Sequence, residues 1–165
     1  MIYDNFFEVL DSRLAKLDFF YISKILNSLL GIDSKVIPVT ILEKFEEQIL
    51  NSASSLVEDK RINNRMLCSC LIFFSEVGYG TSKLFNFLFV ELNRRADQWT
   101  IMDIETILYC LAMTTSEETE SSRQVIIKKI EDILISKNEY IFKRANIQNF
   151  EKIFMGICLN MNKSS

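Results

Sequence analysis

The most informative absence from this sequence is histidine, since the chain of 165 residues contains none. Histidine titrates near neutral pH and is the commonest general base and metal ligand, so its absence removes the usual centre of acid–base catalysis. The sequence also shows no glycine-rich phosphate loop and no nucleophile elbow. Carboxylates such as Glu43, Glu46 and Glu47 are interpreted as a solvated helix face. We therefore predict that the protein is not an enzyme and has no cofactor and no small-molecule substrate.

Glycine and proline are scarce, with four Gly and one Pro in the whole chain. A β-sandwich or barrel needs a turn signal about every 8–12 residues, and that supply is missing. With 48% hydrophobic and 25% charged residues, the composition is typical of a folded globular protein and not of a disordered one. Long segments rich in Leu, Ile, Phe, Lys and Glu therefore predict an all-α protein.

Long apolar runs are absent too, and the densest ones, at 66–74 and 84–92, are too short to cross a membrane. The first residues, MIYDNFFEVLD, carry acids where a signal or transit peptide would carry bases, so no targeting segment is expected. The four cysteines are scattered and are predicted to be free thiols packed in the core. On a helix, Cys68 and Cys70 would point about 200° apart, so no metal site is predicted.

A repeated pattern is present in the segment WTIMDIETILYCLA (99–112). Its apolar residues from Ile104 to Ala112 recur at the i, i+3, i+4, i+7 spacing of one helix face. The same pattern recurs with its first members at Ile25, Met66, Ile107 and Ile153, at intervals of 41, 41 and 46 residues. These intervals indicate a repeating structural unit.

Good N-cap residues lie seven positions before each of these first members, namely Asp18, Asp59, Thr100 and Asn146. Asp103 follows Thr100 at the spacing of a capping box. A partner helix is predicted ahead of each of the four, at 3–17, 41–56, 83–96 and 123–136.

Local signals support two of the predicted helix boundaries. Thr40 and Glu43, just after Pro38, predict a capping box at the start of the second partner helix. Gly78 and Gly80 predict a C-cap and a turn.

The pattern predicts an all-α fold, a short right-handed α-solenoid of about four helix-turn-helix repeats of roughly 41 residues each. The whole chain, 1–165, is then one helical-repeat domain with repeats at approximately 1–36, 37–80, 81–120 and 121–165. An irregular bundle of about seven or eight helices is the alternative.

Two of the four copies, TIMDIETILYCLA (100–112) and DFFYISKILNSLLG (18–31), resemble the second helix of octotricopeptide, heptatricopeptide and FAST-kinase-like or RAP-type repeats. The second copy departs from that pattern at Asn63, and the fourth has an insertion at 136–146. The resemblance implies a non-catalytic scaffold or RNA-associated subunit of a large mitochondrial assembly such as a mitochondrial ribosome. The alternative is a HEAT- or armadillo-like protein adaptor in the cytosol or nucleus, which the acidic pI of about 5.1 favours.

Basic residues concentrate in the predicted turn between the two helices of each hairpin. The windows 13–18, 58–65, 94–97 and 137–144 hold ten bases and five acids, whereas the remaining residues hold nine bases and seventeen acids. A basic edge of this kind could follow the phosphates of RNA. The candidate RNA-binding residues are Arg13, Lys16, Lys60, Arg61, Arg65, Arg94, Arg95, Lys143 and Arg144. The alternative is that these bases complement the carboxyl ends of helices.

The segment LFNFLFV (84–90) is apolar nearly all round. Phe85, Phe87 and Phe89 are therefore candidates for an interface, covered either by flanking repeats or by another subunit. A short solenoid without polar capping helices is expected to dock its ends on partners. The expected partners are protein subunits of a large complex, with structured or ribosomal RNA as a further candidate.

Overall fold

The computed structural model describes residues 2–56, 59–114, 117–136 and 145–161, and every regular element in these ranges is helical. The α-helices are α1 (Ile2–Leu14), α2 (Phe19–Leu29), α3 (Val39–Asn51), α4 (Ala53–Leu56), α5 (Asn64–Val77), α6 (Ser82–Arg94), α7 (Ile101–Met113), α8 (Glu120–Ser136) and α9 (Ile147–Met161). Short 3₁₀ turns occur at Ser34–Val36, Ala96–Gln98 and Glu117–Thr119. The prediction of an all-α protein is confirmed.

Three of the four predicted N-caps begin a helix. The Asp18 carboxylate accepts a hydrogen bond from the Tyr21 amide at 3.1 Å. Thr100 and Asp103 form the predicted capping box, in which each side chain accepts a hydrogen bond from the other residue's backbone amide. Asn146 and Asn149 make the same reciprocal pair at the start of α9, at 2.8 and 2.9 Å. These local signals fix where α2, α7 and α9 start.

The predicted cap at Asp59 is wrong, because α5 begins four residues later with Asn63 as its N-cap. The Asp59 carboxylate instead accepts a hydrogen bond from the Arg61 amide at 2.9 Å. Ile62 lies between Asp59 and Asn63 in the chain and is buried, and its amide donates to the Asp59 carbonyl. The turn therefore packs against the core before α5 starts.

The capping box predicted at Thr40 and Glu43 is also wrong. Helix α3 begins at Val39 with Pro38 as its N-cap and has no side-chain cap hydrogen bond. Gly78, by contrast, is the predicted C-cap: its left-handed φ of 65° ends α5, and its amide donates to the Phe74 carbonyl.

The chain forms two compact units, Met1–Leu84 and Phe85–Ser165. In the first unit α2 packs against α5 and α1 packs against α3. Arg61 bonds Asp18 at 2.8 Å and Ser69 bonds Asn27 at 3.2 Å, and these partners are 43 and 42 residues apart. Because the separation is nearly constant along the pair, α2 and α5 run in the same direction.

The prediction of a solvated carboxylate face on α3 is wrong for Glu46. Its side chain is buried, and it accepts hydrogen bonds from the Thr81 hydroxyl and from the Thr81 amide at 3.2 Å. The Thr81 hydroxyl oxygen in turn accepts from the Leu84 amide at 3.3 Å, which caps α6. Glu43 and Glu47 are exposed, as predicted.

In the second unit α7 packs against α9, and a buried polar network joins both to α8. The Asn160 amide donates to the carbonyls of Leu108 (3.1 Å) and Gly156 (2.8 Å). Its oxygen accepts from the buried Arg123 guanidinium at 3.0 Å, and Arg123 also pairs with Glu120 at 2.7 Å. These buried hydrogen bonds hold α9 against α7 and α8, because water could replace them only if the second unit opened.

Within the described ranges, no helix combines the length and the apolar character that a membrane span would require. The four cysteines are free thiols, with Cys68, Cys70 and Cys110 buried and Cys158 half-buried.

Candidate functional site

The predicted basic edge is partly assembled in the first unit. The bond between Arg61 and Asp18 places the α1–α2 turn beside the segment that precedes α5. Arg13, Lys16, Lys60 and Arg65, which flank this contact along the chain, are exposed. The structure therefore brings two of the predicted basic turns side by side.

Arg61 itself is engaged within the fold. Its guanidinium lies 2.8 Å from Asp18 and 2.6 Å from Asp59, and its central carbon is 4.8 Å from the centre of the Phe20 ring. The hydrogen bonds that Arg61 donates to Asp59 and Asp18 raise the pKa of Arg61, and those that it donates to Asp59 lower the pKa of that carboxyl. Because these two carboxylates already balance the charge of Arg61, a phosphate would have to displace them in order to bind the guanidinium.

Of the remaining predicted RNA-binding residues, the structure describes Arg94 and Arg95. Arg94, in the last turn of α6, pairs with the buried carboxylate of Glu91, and Arg95 is half-buried and also engaged in the fold. Lys143 and Arg144 lie outside the described residues. Contact with RNA stays a prediction for the exposed cations of the first unit.

The three phenylalanines predicted to form an interface differ in accessibility. Phe85 and Phe89 are buried within the chain, and Phe87 is half-buried. A partner cannot reach Phe85 or Phe89 in this conformation, because α6 is covered by the chain's own packing. The apolar circumference of α6 therefore reflects packing inside the chain, and Phe87 is the part of this prediction that stays accessible.

Helix α9 carries the exposed apolar surface that the sequence reasoning did not single out. Four of its large apolar side chains, Phe150, Phe154, Met155 and Leu159, are between 41% and 68% exposed. In the repeat predicted from the sequence, Phe154 aligns with Leu26, Leu67 and Leu108, which are 0%, 0% and 2% exposed. The predicted repeat aligns Phe154 with buried positions, so the apolar spacing along α9 gave no signal that this side chain is exposed.

A groove between α1 and α3 is the second surface that sequence reasoning missed. It encloses about 780 Å³ and is lined by Phe7, Glu8, Asp11, Pro38, Thr40, Ile41, Glu43, Lys44 and Glu47. Phe7 and Ile41 form its apolar floor, and carboxylates stand on both walls. Lys44 crosses it to pair with Asp11 at 2.5 Å.

The described residues form no cluster of the kind that binds a metal ion. Across 2–56, 59–114, 117–136 and 145–161, no three cysteine or carboxylate side chains converge closely enough to hold a metal ion. Burial raises the pKa of the Cys70 thiol well above its ordinary value, so this sulfur is disfavoured as a thiolate.

No family model, no curated protein and no solved structure matches the chain.

Proposed function

We propose that the protein is a non-catalytic helical-repeat scaffold that binds other proteins through the outward face of α9. In this proposal the chain is a short α-solenoid of four hairpins of roughly 41 residues. Support comes from each unit taken separately. In the first, Ser69 on α5 bonds Asn27 on α2 across 42 residues, and Arg61 before α5 bonds Asp18 before α2 across 43. In the second, Asn149 on α9 bonds Glu105 on α7 across 44 residues.

The observation that carries the proposal is the exposure of Phe154. In a stack of repeats each second helix covers the preceding one, as α9 covers Leu108 of α7. Phe154 and Cys158 stand at the positions of Leu108 and Ala112, yet Phe154 is 68% exposed. The outward face of α9 thus has the composition of a surface that a further helix covers.

The proposed occupant is an apolar-faced helix of another protein, packed on α9 as α9 packs on α7. Burying one large apolar side chain contributes about 1.5–3 kcal/mol, so a helix covering Phe150 and Phe154 gains several kcal/mol before the cost of association. The mitochondrial assembly implied by the sequence resemblance and a cytosolic adaptor role both use this same surface.

Site-specific photocrosslinking in the native source tests the proposal. A crosslinking residue at position 154 is expected to capture a defined protein, and the same residue at position 135 is expected to capture none. Ile135 is the matched control because it is also apolar and highly exposed, at 75%, but lies on α8. Equal capture from both positions, or capture from neither, would contradict the proposal.

A charged variant separates loss of binding from loss of folding. Phe154→Glu is expected to abolish co-purification of the captured protein while leaving the melting temperature unchanged, because the side chain is largely in water already. Ile135→Glu is expected to change neither. A bound partner retained by Phe154→Glu would overturn the assignment of this face.

RNA association is a second candidate function, favoured by the exposed cations beside the α1–α2 turn. Lys60→Glu with Arg65→Glu is expected to weaken RNA binding and to reduce its salt dependence, because fewer phosphates are neutralised. Filter binding at several salt concentrations measures both. Unchanged affinity, or no RNA affinity in the parent, would exclude this function.

A further inference from the structure

We propose that the groove between α1 and α3 binds a basic, apolar-faced segment of a partner protein. This site lies in the first unit and is independent of the α9 face. Its apolar floor is Phe7 and Ile41, and its rim carries four carboxylates and one ammonium. A volume of about 780 Å³ accommodates several side chains of a docked helix or strand.

The charge balance of the groove identifies the chemistry of the occupant. Lys44 neutralises Asp11, and in the described part of the chain Glu8, Glu43 and Glu47 have no cation paired with them. The negative charge on α3 also acts on a side chain outside the groove. Burial raises the pKa of Tyr79, and the charges of Glu43 and Glu46 raise it further. Lysine or arginine on a docking segment would complement this rim.

The helix that carries Glu43 and Glu47 does not itself stabilise their charges. Helix α3 begins at Val39, so Glu43 and Glu47 lie beyond the first turn, where the helix dipole would stabilise an acid. Glu43 and Glu47 are also four residues apart on one helix, a spacing at which like charges repel. A cationic ligand would relieve the repulsion between Glu43 and Glu47.

A pair of synthetic peptides tests the proposal on the full chain. The first is a short lysine–leucine peptide of helical periodicity, and the second replaces each lysine with glutamate. Calorimetry at low salt is expected to show binding of the first peptide alone, weakening as salt is added. Binding of both peptides with equal affinity, or of neither, would overturn the proposal.

Two charge-reversal variants locate the site. Glu43→Lys with Glu47→Lys is expected to weaken the lysine–leucine peptide about tenfold, since two surface attractions become repulsions. The matched control is Glu131→Lys with Asp132→Lys on α8, which changes the net charge equally at exposed positions. An equal loss in both variants would show attraction to overall charge only, and the groove assignment would be wrong. Phe154→Glu is expected to bind the peptide normally, so this test fails or succeeds independently of the α9 proposal.

Discussion

At the residue scale, Asn63 determines where α5 begins. Its side-chain oxygen accepts a hydrogen bond from the Met66 amide at 3.1 Å, one of the donors that the first turn of a helix leaves unsatisfied. Asn63→Ala is expected to lower the free energy of unfolding by about 1 kcal/mol. Asn63→Asp retains an acceptor and is expected to restore most of it. Urea denaturation followed by circular dichroism measures both, and equal stability of the alanine variant and the parent would contradict the cap.

The pKa of Tyr79 is sensitive to nearby carboxylates in the first unit. Partial burial, followed by the charges of Glu43 and Glu46, raises the pKa of its phenol above 10.0. The neutral phenol is thus favoured in the folded state, so its contribution to stability is complete below pH 10 and decreases as the pH rises through the folded pKa. Glu43→Gln is expected to lower the pKa of Tyr79 without abolishing the shift, because burial remains.

Phenolate absorbance, taken as the difference between each protein and its Tyr79→Phe counterpart, measures this pKa. Glu131→Gln, on α8, is the control and is expected to leave it unchanged. A Tyr79 pKa at or below the ordinary tyrosine value in the parent would refute this account of the site.

Residue-scale features could be predicted from sequence where their partners are near in the chain. Thr100 and Asp103 are three residues apart, so spacing alone identified their capping box. Asp59 and Asn63 are both good N-caps, and the choice between them depends on the burial of Ile62, which spacing does not reveal. Glu46 bonds Thr81 across 35 residues, and such a contact has no local signal.

At the scale of elements, Gly156 allows α9 to approach α7. A Cβ atom added at Gly156 would lie 2.7 Å from the Leu108 Cβ, so the helices would have to separate. Gly156→Ala is therefore expected to destabilise the protein by about 1–3 kcal/mol, although alanine is the better helix former. Leu108→Ala removes buried methyl groups and is expected to cost about 2–5 kcal/mol.

A double variant gives a sharper test. Leu108→Ala keeps the Cβ atom that a methyl group at 156 would meet, whereas Leu108→Gly removes it, so the combined loss of Gly156→Ala with Leu108→Gly is expected to fall short of the sum by about 1 kcal/mol or more. Chemical denaturation of the four proteins measures the coupling. Strict additivity would show that Gly156 does not contact Leu108.

Helix periodicity predicted where the helices begin and end better than which of their faces are buried. The predicted segment 100–112 is α7 within one residue at each end, because the apolar spacing and the cap agree. The accessible faces were not predictable in the same way. Phe85, Phe89 and Phe154 all lie on apolar helix faces, yet the first two are buried and Phe154 is 68% exposed. Which face is covered depends on which helices are neighbours, and a single sequence does not specify that.

At the scale of the whole molecule, the four thiols report accessibility in both units. Cys70 and Cys110 are fully buried and Cys68 nearly so, whereas Cys158 is half-buried on the outward side of α9. Core packing was predicted for all four, and Cys158 differs in being only half-buried. A disulfide reagent is therefore expected to modify one thiol rapidly in the native protein. The other three are expected to react at least about a hundredfold more slowly, since they require local or global opening.

Two cysteine variants assign the rapid reaction. Cys158→Ser is expected to eliminate it, and Cys68→Ser is expected to retain it; a rapid thiol that survives Cys158→Ser would show that another site is open. The same thiol links accessibility to the proposed function. If a partner helix covers Phe154, it also covers Cys158 one turn further along the same face, so the complex should lose the rapid thiol that the free protein has. A Cys158 that reacts equally fast in the complex would place the partner elsewhere, even if the isolated protein behaves as expected.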